Sequence, residues 1–376
     1  MLEYRIARPE EESDILDLIN LVFSQTRVPH HFDQLIPKVY AYPGYAPYHY
    51  VAVEEGKIRA CVAVMPTVLH LDREFSLKVG LIGSVAVHEK SRGAGHMKKL
   101  MDMAIEDARK HGCDLLALGG QRQRYGYWDF EPGGVCRTFT LSLSNVRHAM
   151  KDQDEKGIFI REITDEKDSS LDDIHALMML NDMTCTRERE RLLSIMQCWN
   201  QRLYLIENEQ GFLGYLYGSA SNVHEMTLTD WEQLPRVLKS WMQGKESCVF
   251  YAPQHQPALA SYLRSVSESA GLSDSKKYRI LNWEKVLSTC LAYQQKKSPL
   301  PSGRIVIEIQ GEGRLALSLQ GGHARAEKTE ETPALCLSSC QAVALFFSPL
   351  ALAEKLPPLL KAWLPLPLYI TRADTF

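Results

Sequence analysis

The stretch from Glu74 to Gly120 constrains the fold more than any other part of the chain. A long β-prone run, "EFSLKVGLIGSVAV", leads straight into a loop with two glycines, "HEKSRGAGH". Beyond the loop, Met97, Leu100, Met101, Ala104, Ile105 and Ala108 recur at helical spacing. The helix is expected to stop near His111-Gly112, with the apolar "CDLLALGG" following as a second strand. Strand, helix and strand in that order predict a parallel βαβ unit with the glycines at its first turn. The chain is therefore read as α/β, of the mixed α+β kind.

The surrounding sequence extends this pattern. "LEYRIARP" reads as a strand and "EEESDILDLINLVFSQ" as a helix with Ile15, Ile19 and Val22 on one face, while "YHYVAVEEGKIRACVAVMP" reads as two strands turning at Glu55-Gly56. A second segment, from about Ile158 to Ala292, repeats the order of elements but not the loop: at "TLTDWEQLPRV" Asp230 can cap a helix, and no glycine opens a cradle. The polar, Pro- and Ser-containing "YQQKKSPLPSGR" predicts a linker. Beyond it, "RIVIEIQGEGRLALSLQGG" alternates like a hairpin and "SSCQAVALFF" reads as a helix. A length of 376 residues accommodates the two or three domains this implies.

Composition removes several function classes. With 43 Lys and Arg against 46 Asp and Glu, the formal charge of -3 lacks the basic footprint of a dedicated nucleic-acid binder. The nine cysteines form no CxxC pair, which suits free thiols in a reducing, cytoplasmic setting. Cys336 and Cys340 have no histidine or further cysteine pair beside them, so no metal is expected. The charged amino terminus and the lack of a run of about 20 apolar residues predict neither a signal peptide nor a membrane span.

The loop asks for an anion. Backbone N–H groups approach phosphate oxygens closely only where side chains are missing, and the positive end of the following helix favours negative charge. Gly93 and Gly95 supply the access, and Arg92, Lys98 and Lys99 add charge suited to a diphosphate. "SRGAGH" satisfies neither GxGxxG nor GxxxxGK[ST]. It does resemble Q/R-x-x-G-x-G/A, the pyrophosphate loop of the GNAT acyl-CoA-dependent N-acyltransferases. Arg92-Gly93-Ala94-Gly95-His96-Met97 fits that pattern with Met97 in place of the final Gly or Ala; Lys90 to Gly95 is the alternative register. The first is preferred because Val87-x-Glu89 then falls where the family commonly has V-x-P.

Flanking residues strengthen the resemblance. "GSVAV" matches the family strand whose exposed backbone pairs with pantetheine, and "RQRYGYWDFEP" looks like its YxxxGF region, with Asp129 in the glycine's place. The layout of the whole chain, ending in "TRADTF", resembles the enhanced-intracellular-survival (Eis) type of acetyltransferase. That resemblance implies tandem GNAT domains over 1–147 and 153–292, the second degenerate, and a sterol-carrier-protein-like α/β domain over 299–376. It implies acetyl-CoA as co-substrate, contacted by Val85, Ala86, Val87, Arg92, Gly93, Ala94, Gly95, His96, Met97, Lys98 and Gln121. Tyr125 would protonate the departing thiolate, and the terminal carboxylate of Phe376 would take the amine's proton. The partner would be a small-molecule or peptide amine, and the enzyme a homo-oligomer by the same resemblance.

Other readings stand beside this one. A non-catalytic acyl-CoA-binding or scaffolding protein would keep the loop without turnover. Tyr125, Tyr127 and Trp128 alone would suit an aromatic core, and Cys61 and Cys113 are expected to be structural. His30-His31 reads as surface, and the charge run from Arg187 to Arg191 as a solvated helix face. The sequence leaves the acceptor open among polyamines, aminoglycosides, amino acids and lysine side chains.

Overall fold

The computed structural model describes residues 2–25, 28–348 and 356–376. Its first strand, β1 (Leu2–Ile6), is followed by helix α1 (Glu12–Ser24), which buries Ile15, Leu18 and Ile19, and by two single turns, α2 (Phe32–Leu35) and α3 (Pro37–Tyr40). Strands β2 (His49–Glu54), β3 (Lys57–Leu71) and β4 (Phe75–Val87) then form an antiparallel meander. Helix α4 (His96–Lys110) returns the chain to β5 (Leu115–Leu118), which lies parallel to β4. The predicted βαβ unit is present. A short helix, α5 (Arg122–Tyr125), leads into β6 (Glu131–Ser142).

Both faces of β4 are covered, which is why it reads as a continuous apolar run. Leu77, Val79 and Leu81 pack into the core shared with the carboxy-terminal part of the chain, while Ile82 faces Leu100, Met101, Ala104 and Ile105 of α4. Each such buried Leu or Ile contributes about 1.5–3 kcal/mol over an exposed one.

The next strands are β7 (Ile158–Glu162), β8 (Met183–Cys185), β9 (Arg202–Asn208), β10 (Gly211–Ser219), β11 (Asn222–Leu228), β12 (Ser247–Pro253) and β13 (Ser269–Ile280). All thirteen belong to one mixed sheet of order β1-β2-β3-β4-β5-β13-β6-β12-β11-β10-β9-β7, with β8 paired to β3. Strand β13 leaves the second segment and inserts between β5 and β6, while β6 of the first segment pairs with β12. Strands β14 (Gly303–Ile309), β15 (Gly313–Gln320), β16 (His323–Lys328) and β17 (Leu335–Leu337) form a separate four-stranded sheet.

Two expectations need correcting. Tyr293 to Lys297 of the expected linker are the last residues of helix Trp283–Lys297, whose buried Trp283, Val286, Leu287, Cys290, Leu291 and Tyr293 anchor it; the break falls beyond it. The run from Arg187 to Arg191 is not a solvated helix face. It begins with a buried arginine and includes only one short turn, Arg189–Arg191. Among the described residues no helix is long and apolar enough to cross a membrane.

Candidate active site

The site begins with a fault in a ladder. Along β3 and β4, Cys61 pairs with Ala86 but Ala63 pairs with Gly83, so Ser84 and Val85 together oppose Val62, and Ser84 takes φ 45°. Such a bulge bends its strand. On the other side, β4 holds β5 only from Val79–Leu115 to Ile82–Leu118. Beyond that point the strands part, and the backbone of β4 faces a wedge rather than a neighbour.

Buried polar groups fix the bulge. The Ser84 hydroxyl lies 2.6 Å from that of Tyr40, which lies 3.0 Å from Nε2 of His49; His49 Nδ1 lies 2.8 Å from the Tyr45 carbonyl. A carbonyl only accepts, so Nδ1 carries the proton, Tyr40 donates to Nε2, and Ser84 donates to Tyr40. Burial pushes the His49 pKa down to about 4, so the ring is neutral at pH 7 and this direction holds. Cys61 adds a contact from its thiol to the Ser84 carbonyl; burial pushes that thiol up to about 12, which suits a structural group and no acyl carrier.

At the open end of the wedge stands the glycine loop. Gly93 and Gly95 have φ 86° and 81°, values that a side chain would strain, and a Cβ at either would meet nothing within 4 Å. Their backbone therefore faces open space. Gly95 is the residue immediately before α4, so the helix's unpaired amides and positive end are presented there.

Arg92 and Met97 line the cleft, as do Val85 and Val87; Ala86 between them turns to the opposite face. Two side chains depart from the implied cofactor role. His96 is buried, with Nδ1 2.8 Å from the Tyr4 hydroxyl, and Lys98 pairs with Asp102 at 2.7 Å one turn along the exposed helix face. Only the His96 backbone stays with the loop.

The opposite wall of the cleft is Gly119, Gly120, Gln121, Arg124 and Tyr125. Tyr125 is buried against Gly120 and flanked by Trp128 and Phe130, yet its hydroxyl has no hydrogen-bond partner among the described residues. Burial raises its pKa, with Arg124 opposing. Asp129, where the motif usually has glycine, adopts the left-handed conformation a glycine would supply, with φ 56°.

The end of the chain closes the cleft. Leu366, Leu368, Tyr369 and Ile370 are buried without forming a strand, and a turn at Thr371–Asp374 delivers Phe376 to β4. Its ring lies so close to Gly83 that a Cβ there would sit 2.1 Å from it. Glycine is needed for this approach. Trp199 donates its indole N–H to the main-chain oxygen of Phe376 at 3.2 Å, and the Lys38 ammonium donates to the carbonyls of Ala373 and Thr375. Phe376, Tyr125, Arg92 and the bulge thus line one cleft of about 860 Å³.

Comparison with known proteins agrees with this geometry. Residues 3–131 match the family model described as an acetyltransferase (GNAT) domain. They are a GNAT acetyltransferase domain. The chain is accordingly an acyltransferase. Its whole fold is similar to that of a GCN5-related N-acetyltransferase from Kribbella flavida, at 14% identity and TM-score 0.71 over 100% of this chain and 98% of that one. Eis1 from Mycobacterium abscessus is similar at 13% identity and TM-score 0.68 over 100% of both chains. A GCN5-related N-acetyltransferase from Anabaena variabilis aligns at 15% identity and TM-score 0.68, again over 100% of both. At these identities the likeness is one of fold. No curated protein matches the sequence.

Trp199, outside the GNAT domain, also lines the cleft, and sequence reasoning missed it, as it missed Arg187 nearby. Trp199 sits at φ 58°, beside Asn200 at φ 56°. Arg187 lies in the core, donating to Asp374 at 2.7 and 3.1 Å, to Glu225 at 2.9 Å twice and to Thr371 at 3.0 Å. Burial works against its charge, but Asp374 and Glu225 outweigh burial and hold its pKa well above the ordinary value. This knot fastens the turn that carries Phe376. Alternating Arg and Glu gave no sign of it.

Proposed function

We propose that the protein is an acetyl-CoA-dependent N-acetyltransferase in which a primary amine attacks the acetyl thioester directly, within the GNAT domain. One observation carries this reading: Phe376 is seated on Gly83 where β4 leaves β5, in the cleft that also holds the glycine loop and Tyr125.

An ammonium must lose a proton before it can attack. Among the described residues lining the cleft no Asp or Glu side chain is present, so the terminal carboxylate is the base to which the geometry points. Tyr125, kept protonated by its raised pKa, donates to the departing thiolate. The Val85 amide at the bulge meets the negative charge developing on the carbonyl oxygen. Arg92 and the amides of Gly93 to Met97 hold the diphosphate, and Val85, Val87 and Gln121 line the path of the pantetheine.

In the same reading the chain is a pair of GNAT domains, 1–147 and a degenerate 153–292, followed by a sterol-carrier-like domain over 299–376. The exchange of β6 and β13 between the first two supports the pairing. A cytoplasmic homo-oligomer fits the resemblance.

Calorimetry with acetyl-CoA tests the cofactor half of the proposal. One site per chain is expected, and Gly95→Val should abolish it while circular dichroism stays unchanged, because a β-branched residue is strained at φ 81° and intrudes on the cradle. Two sites, or binding untouched by the substitution, contradicts it.

A further inference from the structure

We infer that the acceptor is a primary amine bearing one positive charge on an aromatic or branched aliphatic body, and not a polycation; the inference rests on the transferase reading above. The end of the cleft beside α1 and α2 is walled by Val22, Phe23, Phe32, Ile36 and Trp199. The charged side chains lining the whole cleft, among the described residues, are Arg92 and Arg124. An ammonium that leaves water needs a paired charge to offset several kcal/mol of lost hydration. The Phe376 carboxylate serves one such group and leaves none for a second.

A neighbouring cleft of about 310 Å³ shares only Phe376 with the first and does not change this count. Its walls are largely Val39, Met65, Pro66, Val68 and Ile195. Of its two carboxylates, Asp374 is saturated by Arg187, Thr371 and the Cys185 amide, and Glu188 is exposed and lies 3.7 Å from Arg191. Three cations, Lys38, Arg187 and Arg191, line the same space. Neither chamber offers a second ammonium an unpaired carboxylate. Both offer an apolar body a surface that removes it from water.

Release of CoA thiol from acetyl-CoA by the full-length protein, with 2-phenylethylamine, spermidine and kanamycin in parallel, decides the matter. The expected kcat/KM for 2-phenylethylamine is at least about tenfold above those for the other two, a difference of about 1.4 kcal/mol. Val22→Glu, which adds a carboxylate to the wall, should move the phenylethylamine-to-spermidine ratio about tenfold toward spermidine, with the KM for acetyl-CoA unchanged. A wild-type preference for spermidine or kanamycin, or a ratio that Val22→Glu does not move, overturns the acceptor class alone. Acetyl-CoA binding without turnover of any amine overturns the transferase reading, and the acceptor class with it.

Discussion

Tyr125 sits beside Gly120 with its hydroxyl unengaged among the described residues and its pKa raised by burial, a combination that suits a proton donor more than a structural tyrosine. Tyr125→Phe keeps the ring and deletes the acid. Turnover should fall about 100-fold or more, with the affinity for acetyl-CoA nearly constant by calorimetry. The raised pKa has a sign: the phenol stays protonated beyond pH 10, so loss of the acid should not depress kcat below that pH. An unchanged rate in the variant would assign the proton to water. Tyr125 was legible in the sequence because a motif surrounds it. Ser84 and Trp199 were not, since each matters through a backbone conformation that its residue type disfavours, φ 45° and 58°.

Elements with a strong apolar pattern were read correctly, and a polar one was missed. Strand β4, covered on both faces, is a continuous apolar run and helix α4 buries an apolar face at a period of 3.6 residues, and both were expected where they occur. Strand β13, "SAGLSDSKKYRI", is polar for most of its length and exposed at its start, yet it joins β5 to β6 through backbone hydrogen bonds that composition does not announce. The stretch around Arg187 failed for a related reason: charge alternation suggests solvent, while two carboxylates distant in sequence pair with the guanidinium in the core. Removing Arg187 would strand Glu225 and Asp374 as buried charges. Arg187→Ala should therefore cost about 3–5 kcal/mol in urea unfolding and release the Thr371–Phe376 turn. A loss below about 1 kcal/mol would mean that the knot does not hold the tail.

At the scale of the molecule, the fold is a long mixed sheet, and the carboxy-terminal segment packs against it and brings Phe376 to Gly83 of β4. His49 is buried beside Tyr40 and Tyr45, and burial lowers its pKa from the ordinary 6.5 to about 4. Below pH 6.5 the unfolded chain takes up a proton that the folded one refuses until about pH 4, so this histidine stabilises the fold above pH 6.5 and its contribution is lost as the pH falls through that window. The full effect is about 3 kcal/mol. His49→Gln should lower proton uptake on unfolding at pH 5 by about one, measured from the pH dependence of the urea midpoint; no change in uptake would place the imidazole in water.

The glycine at 83 receives the ring of Phe376, the residue that the resemblance implied as base. The most direct measurement compares steady-state acetylation by the untagged protein, by a chain lacking Phe376, and by one extended by a short carboxy-terminal tag. Turnover should fall at least about 100-fold in both altered chains, while the calorimetric affinity for acetyl-CoA and the thermal midpoint hold. Full activity in the tagged chain would contradict the assignment of the terminal carboxylate as base.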